Sequence, residues 1–451
     1  MLAIARRGLN NSESMKMKIL VWSVVLVFLL VVVGGAVWYE LRPQVITFDD
    51  GGKLTLMAVD YGKKHVSPGP TKHTFNTASN ALVLWVRQQH DPNQYANFQY
   101  YLYNKDGTAC VMGNYGYYGG NRRGGANDVM GVEFNAFPRR EGKFYVRVEE
   151  YGNGGQELSD QKFSLHNPVH GSLASWPAQS LPDTEQDGDM SVTLKKLVTG
   201  ARMPYNRGDG DDDDALNKGV QATFNVQING TNATMWEPIS FEMTDATGNH
   251  VNDMISPRQS QQLQVQGNDV TATFQYGLWP DEPAWKLRVE FSKQSDFNDS
   301  ESWTVQGIPL DPGKQNDFWN YGRRQNSATN VFTEGDVGGL HLKIYRARYF
   351  SDMPPNSQPQ GGLSIEVDPS LPDGTRMTLV KLTDDQTNDI NFWDYGSNGR
   401  KGGTIYRYGL QDVSGATNLN LTLAVHKSHY LEFTAKPEAA AADSSGQSNQ
   451  Q

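Results

Sequence analysis

Three stretches mix aromatic side chains with glycine and arginine: residues 114–123 (NYGYYGGNRR), 318–324 (FWNYGRR) and 392–400 (FWDYGSNGR). Flat rings stack on sugar or peptide faces, and polar neighbours orient what is stacked, so such loops suit recognition of a glycan or a protein. Tyr115, Tyr117, Tyr118, Arg122 and Arg123 are the expected ligand-binding residues. The competing reading is that the rings fill junctions while the glycines set turns.

Acidic side chains offer a second chemistry. The run 209–214 (DGDDDD) places Asp209, Asp211 and Asp213 where oxygen ligands for Ca²⁺ could gather. It departs from the EF-hand pattern, with Asp214 where the turn glycine belongs and no closing Glu. Residues 183–189 (DTEQDGD) come nearer in their first half and also lack the final acid. Both are expected as solvated loops, with weak Ca²⁺ binding as the alternative and no other cofactor. His426 and His429, three apart beside a strand pattern, point to opposite faces of a strand and do not suit a shared metal. His65 is expected in a structural loop, with no partner evident in the sequence.

Common catalytic signatures are missing: no G-x-S-x-G elbow, no phosphate loop and no H-E-x-x-H helix. A glycosidase leaves no such local trace, because its two carboxylates are dispersed. The formal net charge of −10 disfavours nucleic acid, which is bound through Lys and Arg. The single cysteine, Cys110, forbids an internal disulfide and reads as a small apolar residue, so a bacterial envelope is the expected setting rather than a eukaryotic exterior.

Residues 19–39 (ILVWSVVLVFLLVVVGGAVWY) carry no charge and as a helix would span about 30 Å, the thickness of a bilayer core. Arg6, Arg7, Lys16 and Lys18 precede this run and acidic residues follow it, which keeps 1–18 in the cytoplasm and exports the rest. A retained signal anchor is expected; the alternative is a cleaved signal peptide, with residues 34–36 as the cleavage site.

Beyond residue 40 short alternating runs recur between Gly, Pro, Asn and Asp, such as Leu340/Leu342/Ile344, Leu363/Ile365/Val367 and Leu419/Leu421/Leu423/Val425. This period predicts half-buried antiparallel strands. A weak repeat sets the module count. Residues 144–149 (FYVRVE) match 285–290 (WKLRVE), and each is followed by a closing strand, 163–168 and 303–309; a shorter third copy pairs 421–425 with 433–437. The expectation is an all-β chain of three tandem antiparallel sandwiches at 44–168, 188–309 and 330–437. Proline-rich connectors lie near 174–182 and 308–313, and a disordered tail spans 438–451. The modules resemble immunoglobulin-like or fibronectin-like sandwiches in pattern, without the Cys…Trp…Cys signature, so the resemblance carries no function with it. The functional expectation is a single-pass envelope protein whose modules bind a protein or glycan or act as a scaffold. The alternative is a carbohydrate-active enzyme with two carboxyl groups across an aromatic-lined cleft.

Overall fold

The computed structural model describes residues 44–440 except 50, 69–71, 73, 90–96, 104–109, 117–128, 153–156, 170, 204–217, 256–261, 276, 316–330, 354–359, 400–401 and 414. The expected anchor, 19–39, and residues 441–451 of the expected tail 438–451 lie outside the described residues, whereas Glu438 and Ala439 at the start of that tail form a short strand paired with Val198 and Thr199. Among the described residues strand makes up 69% and no helical element accompanies it, which makes the described chain all-β. Among the described residues no helix is long and apolar enough to cross a membrane.

In chain order the strands are β1 (Gln44–Thr47), β2 (Lys53–Val66), β3 (Thr74–Gln89), β4 (Asn97–Tyr103), β5 (Cys110–Met112), β6 (Asn114–Gly116), β7 (Val129–Phe134), β8 (Lys143–Tyr151) and β9 (Glu157–His166). There follow β10 (Asp183–Asp187), β11 (Met190–Arg202), β12 (Lys218–Ile228), β13 (Thr231–Asn232), β14 (Trp236–Asp245), β15 (His250–Met254), β16 (Leu263–Gln266), β17 (Asp269–Phe274), β18 (Trp285–Lys293) and β19 (Ser302–Gly313). The last are β20 (Val331–Val337), β21 (Leu340–Tyr345), β22 (Ala347–Phe350), β23 (Gly361–Asp368), β24 (Thr375–Asp384), β25 (Phe392–Gly399), β26 (Thr404–Leu410), β27 (Asn418–Lys427), β28 (His429–Ala435) and β29 (Glu438–Ala439).

The chain divides into two compact units, and the first holds Met1–Tyr100, Gly113–Phe134 and Arg147–Lys162. Its sheet runs β1-β2-β3-β7-β6. The middle of β3 reads ALVLWV (81–86), and all six residues are buried. A strand flanked by β2 and β7 and covered on both faces reads as a continuous apolar run rather than an alternation. Tyr115, expected in a loop, is in β6 opposite Val132.

The second unit contains Tyr101–Met112, Asn135–Val146 and Phe163–Gln451. Two of its sheets, β10-β11-β12-β17-β16 and β15-β14-β18-β28, share a core of rings. Phe224 of β12 lies 5.3 Å from Phe291 of β18 and 6.2 Å from Phe433 of β28, and Phe241 stacks on Phe274 at 4.4 Å. Burying each such ring contributes about 2–3 kcal/mol. A nine-stranded sheet follows β20-β21-β23-β22-β19-β27-β24, with β26 on β23 and β25 on β26, and β5-β4-β8-β9 form a further, four-stranded sheet. The core of the nine-stranded sheet draws on Ile308, Leu342, Ile344, Leu363, Ile365, Leu421 and Leu423, which include all three alternating stripes read from the sequence.

The closing strands depart from the expected boundaries. β19, expected to complete the module at 188–309, pairs with β27 and β22 of the nine-stranded sheet. β28, expected to complete 330–437, pairs instead with β18 along Trp285↔Ala435 to Phe291↔His429. The residues between β18 and β28 therefore leave one sheet and return to it. The proline-rich stretch 308–313 is not a linker but part of β19, whose partner changes from β27 at Pro309 to β22 at Leu310. Proline is tolerated at such a changeover because a ladder donor is dispensable there. The other connector is also docked: the Gln179 N–H donates to the Thr434 carbonyl at 2.8 Å, and Lys286 lies over the Trp176 ring.

Candidate functional site

The expected site residues Tyr117, Tyr118, Arg122 and Arg123 lie outside the described residues, as do Asp209, Asp211, Asp213 and the stretch 318–324. Among the described residues no three His, Cys, Asp or Glu side chains converge as metal ligands. The acidic motif 183–189, expected as a solvated loop, is a hairpin: Asp187 pairs with Met190 across a Gly188–Asp189 turn in which Gly188 has φ +63°. The Asp187 carboxylate receives the Tyr430 N–H at 3.2 Å and contacts His429 Nδ1 at 3.1 Å, so it ties the hairpin to β28.

His65 also departs from expectation. It lies on β2 rather than in a loop and is fully buried, with Nδ1 3.1 Å from Asp60 and its ring stacked on Phe75 at 5.0 Å. Its partner stands five residues back on the same strand, across the irregular register at Gly62, where φ is +148°.

The third aromatic stretch is a strand. Among the described residues β25 pairs with β26 alone, in the register Phe392↔Leu410, Trp393↔Gly409 and Asp394↔Tyr408, and a bulge follows before Gly396↔Arg407. The Trp393 indole occupies the space a side chain at 409 would need: a Cβ there would fall 2.6 Å from it. Glycine at 409 is thus what seats the ring. The Asp394 carboxylate takes the Gly396 N–H at 2.6 Å, which stabilises the bulge.

Beside β25 opens a cleft of about 440 Å³ in the second unit. Its apolar wall combines Ile239, Met254, Ile255, Met377, Leu379, Phe392 and Tyr408, and its polar groups come from Gln294, Arg376, Thr378 and Asp394. The volume and the mixture suit a small ligand or a short segment of a larger one. None of β14, β18 or β24 is distinguished in the sequence as a site, because their contributions come together only through the return of the chain to β28.

Next to the cleft, polar groups meet on the outer face of β18. Glu290, 3% exposed, receives both Nε and Nη2 of Arg376 from β24. Burial works to raise this carboxyl, but the Arg376 guanidinium and the Tyr430 hydroxyl outweigh it and hold it below the usual range. Such bidentate pairing is what makes a buried carboxylate tolerable. His426 is 4% exposed, and its Nε2 accepts the Ser292 hydroxyl at 2.9 Å and the Lys293 N–H at 3.2 Å. Because a backbone N–H can only donate, Nε2 is the bare nitrogen and the proton sits on Nδ1. Burial pushes the imidazole down to about 4. Glu237, opposite Ser292 on β14, is pushed by burial up to about 7. Nothing local in the sequence marks Glu237 or Arg376 as part of a site, and Glu290 stands out there only as the end of the repeated motif 285–290.

Neither a scan against models of known protein families nor a search of curated proteins matches this chain. The class that fold and cleft define is an all-β protein with an aromatic-edged recess.

Proposed function

We propose that the chain is a membrane-anchored envelope protein that recognises a protein or glycan partner through the cleft beside β25, without catalysing a reaction on it. Residues 19–39 serve as the anchor, and the β-rich remainder is exported as three immunoglobulin-like or fibronectin-like sandwich modules. The observation that carries the reading is the composition of the cleft, an apolar wall with Phe392 and Tyr408 beside a few polar side chains. A glycosidase needs two carboxyl groups across its cleft. Among the described lining residues one carboxylate is present, that of Asp394, while Glu290 is held by Arg376.

Thr378 lines the cleft, and Thr378→Trp would fill much of it. Arrays of immobilised peptides and glycans, probed with the full chain and with Thr378→Trp, test the reading. Selective binding that the variant loses supports it. Binding that the variant retains in full, or release of reducing sugar from bound glycan, overturns it.

A further inference from the structure

Inner strands contribute Ile239, Ser292 and Tyr408 to the cleft, but along β24 and β25 it is bordered by the sides of strands, and this restricts what fits. Successive side chains of a strand point to opposite faces, so a ligand resting on a face meets every second residue. Here four successive residues of β24, 376–379, and three of β25, 392–394, border the space. Through these stretches β24 is paired with β27 on one side and β25 with β26 on one side. Neither has a second neighbouring strand there among the described residues. β15, which ends at the cleft in Met254, is likewise the outermost strand of its sheet, and Met254 is 66% exposed.

An outer strand is a template for one more strand, with main-chain hydrogen bonds giving affinity and side-chain pockets giving selectivity. Methionines lining a pocket, here Met254 and Met377, adapt to aliphatic side chains of different shape. Charge narrows the occupant further. The Arg376 cation is compensated by Glu290, whereas Asp394 has no ion-pair partner among the described residues. Among its described lining residues the cleft therefore presents one uncompensated negative charge, that of Asp394, beside an apolar recess.

Resting on the recognition reading above, we propose that the occupant is an extended peptide segment of another protein, added as a strand along the outer side of β24. An aliphatic side chain enters the recess, and a neighbouring lysine or arginine reaches Asp394. Main-chain pairing supplies the bulk of the affinity, and the recess and the carboxylate select the sequence.

Calorimetric titration of the full chain tests this with terminally blocked hexapeptides of alternating Leu and Lys or alternating Leu and Glu, and with chitohexaose. The Leu/Lys peptide should bind at least tenfold more tightly than the Leu/Glu peptide, and Thr378→Trp should lose that binding. Asp394→Asn keeps the acceptor for Gly396 and so should keep the fold. It should bring the two peptides to within about twofold of each other, which provides a test even if the tryptophan variant misfolds. Equal discrimination in Asp394→Asn, or peptide binding unaffected by Thr378→Trp, overturns the proposal. Chitohexaose binding that Thr378→Trp abolishes, with no peptide bound, overturns the peptide assignment and leaves the recognition reading intact. If neither class binds, both fail.

Discussion

Strands β8 and β18 carry the repeated motif, apolar residues alternating up to a buried glutamate, yet they satisfy that glutamate in different ways. On β8 the arginine two residues earlier does it: Arg147 Nε lies 2.9 Å from Glu149, and the Tyr151 hydroxyl donates to the same carboxylate at 2.6 Å. On β18 the corresponding Arg288 is turned to Glu242 at 3.3 Å and over the Tyr430 ring. Glu290 then pairs with Arg376, which comes from β24 in a different sheet. Arg147 also reaches Asp160 of β9 at 3.1 Å, so on β8 the pattern works within one sheet, whereas on β18 it fastens two sheets together. The cleft lies beside the second arrangement, and Arg376 belongs to both.

The contrast can be broken most severely at the returning strand. Phe433→Ala removes a fully buried ring from the core around Phe224 and should cost about 3–5 kcal/mol. Hydrogen exchange should report the loss at the β14 and β18 amides and leave the β3 amides protected. Equal loss in β3 would contradict the assignment of β28 to the second unit.

The next largest effect comes from pH. In the folded chain His426 titrates near 4 and in the unfolded chain near 6.5, so on acidification the unfolded chain takes up this proton first. The contribution is whole above about pH 6.5 and is lost as the pH falls toward 4, on the order of 3 kcal/mol. Glu237 acts with the opposite sign, its folded carboxyl near 7 against 4.5 unfolded, so its contribution is whole below pH 4.5 and is lost as the pH rises toward 7. Stability measured against pH should lose its acid-side fall in His426→Gln and its rise toward low pH in Glu237→Gln. Unchanged profiles would show that neither group is desolvated as described.

Removing Arg376 sharpens the comparison with β8. Arg376→Met leaves Glu290 buried without its cation and should cost about 2–3 kcal/mol, toward the lower end because the Arg376 side chain is 37% exposed. Adding Glu290→Leu should recover most of that loss. Arg147→Met should instead destabilise the first unit, and denaturant melts of the three variants, followed by hydrogen exchange, separate the two outcomes. The smallest effect is expected at Gly409→Ala, which displaces the Trp393 indole at a cost of about 1 kcal/mol. Fluorine NMR of fluorotryptophan-labelled protein should show the Trp393 resonance moving.

Much of the strand structure was legible in the sequence because alternation is a local signal. The stripes 340–344, 363–367 and 419–425 each lie on one strand and supply the core of the nine-stranded sheet. The return of β28 to β18 was hidden, since Trp285↔Ala435 joins residues far apart and nothing in 433–437 marks which module it completes. Proline at 309 and 312 suggested a linker for the same reason: a local rule about ladder donors does not reveal a strand that changes partners. Of the candidate site, the 392–396 aromatics were visible by composition. Residues 376–379 were not, because a strand that contributes its side to a cleft has no periodicity to show for it.

The most direct measurement is methyl NMR on protein labelled at methionine and titrated with the blocked Leu/Lys hexapeptide. Met254 and Met377 line the cleft, whereas Met190 and Met243 are buried with no exposure. The first pair should shift saturably and the second pair should stay in place. Binding of the peptide with the Met254 and Met377 methyls unmoved would contradict the assignment of the cleft as the recognition site.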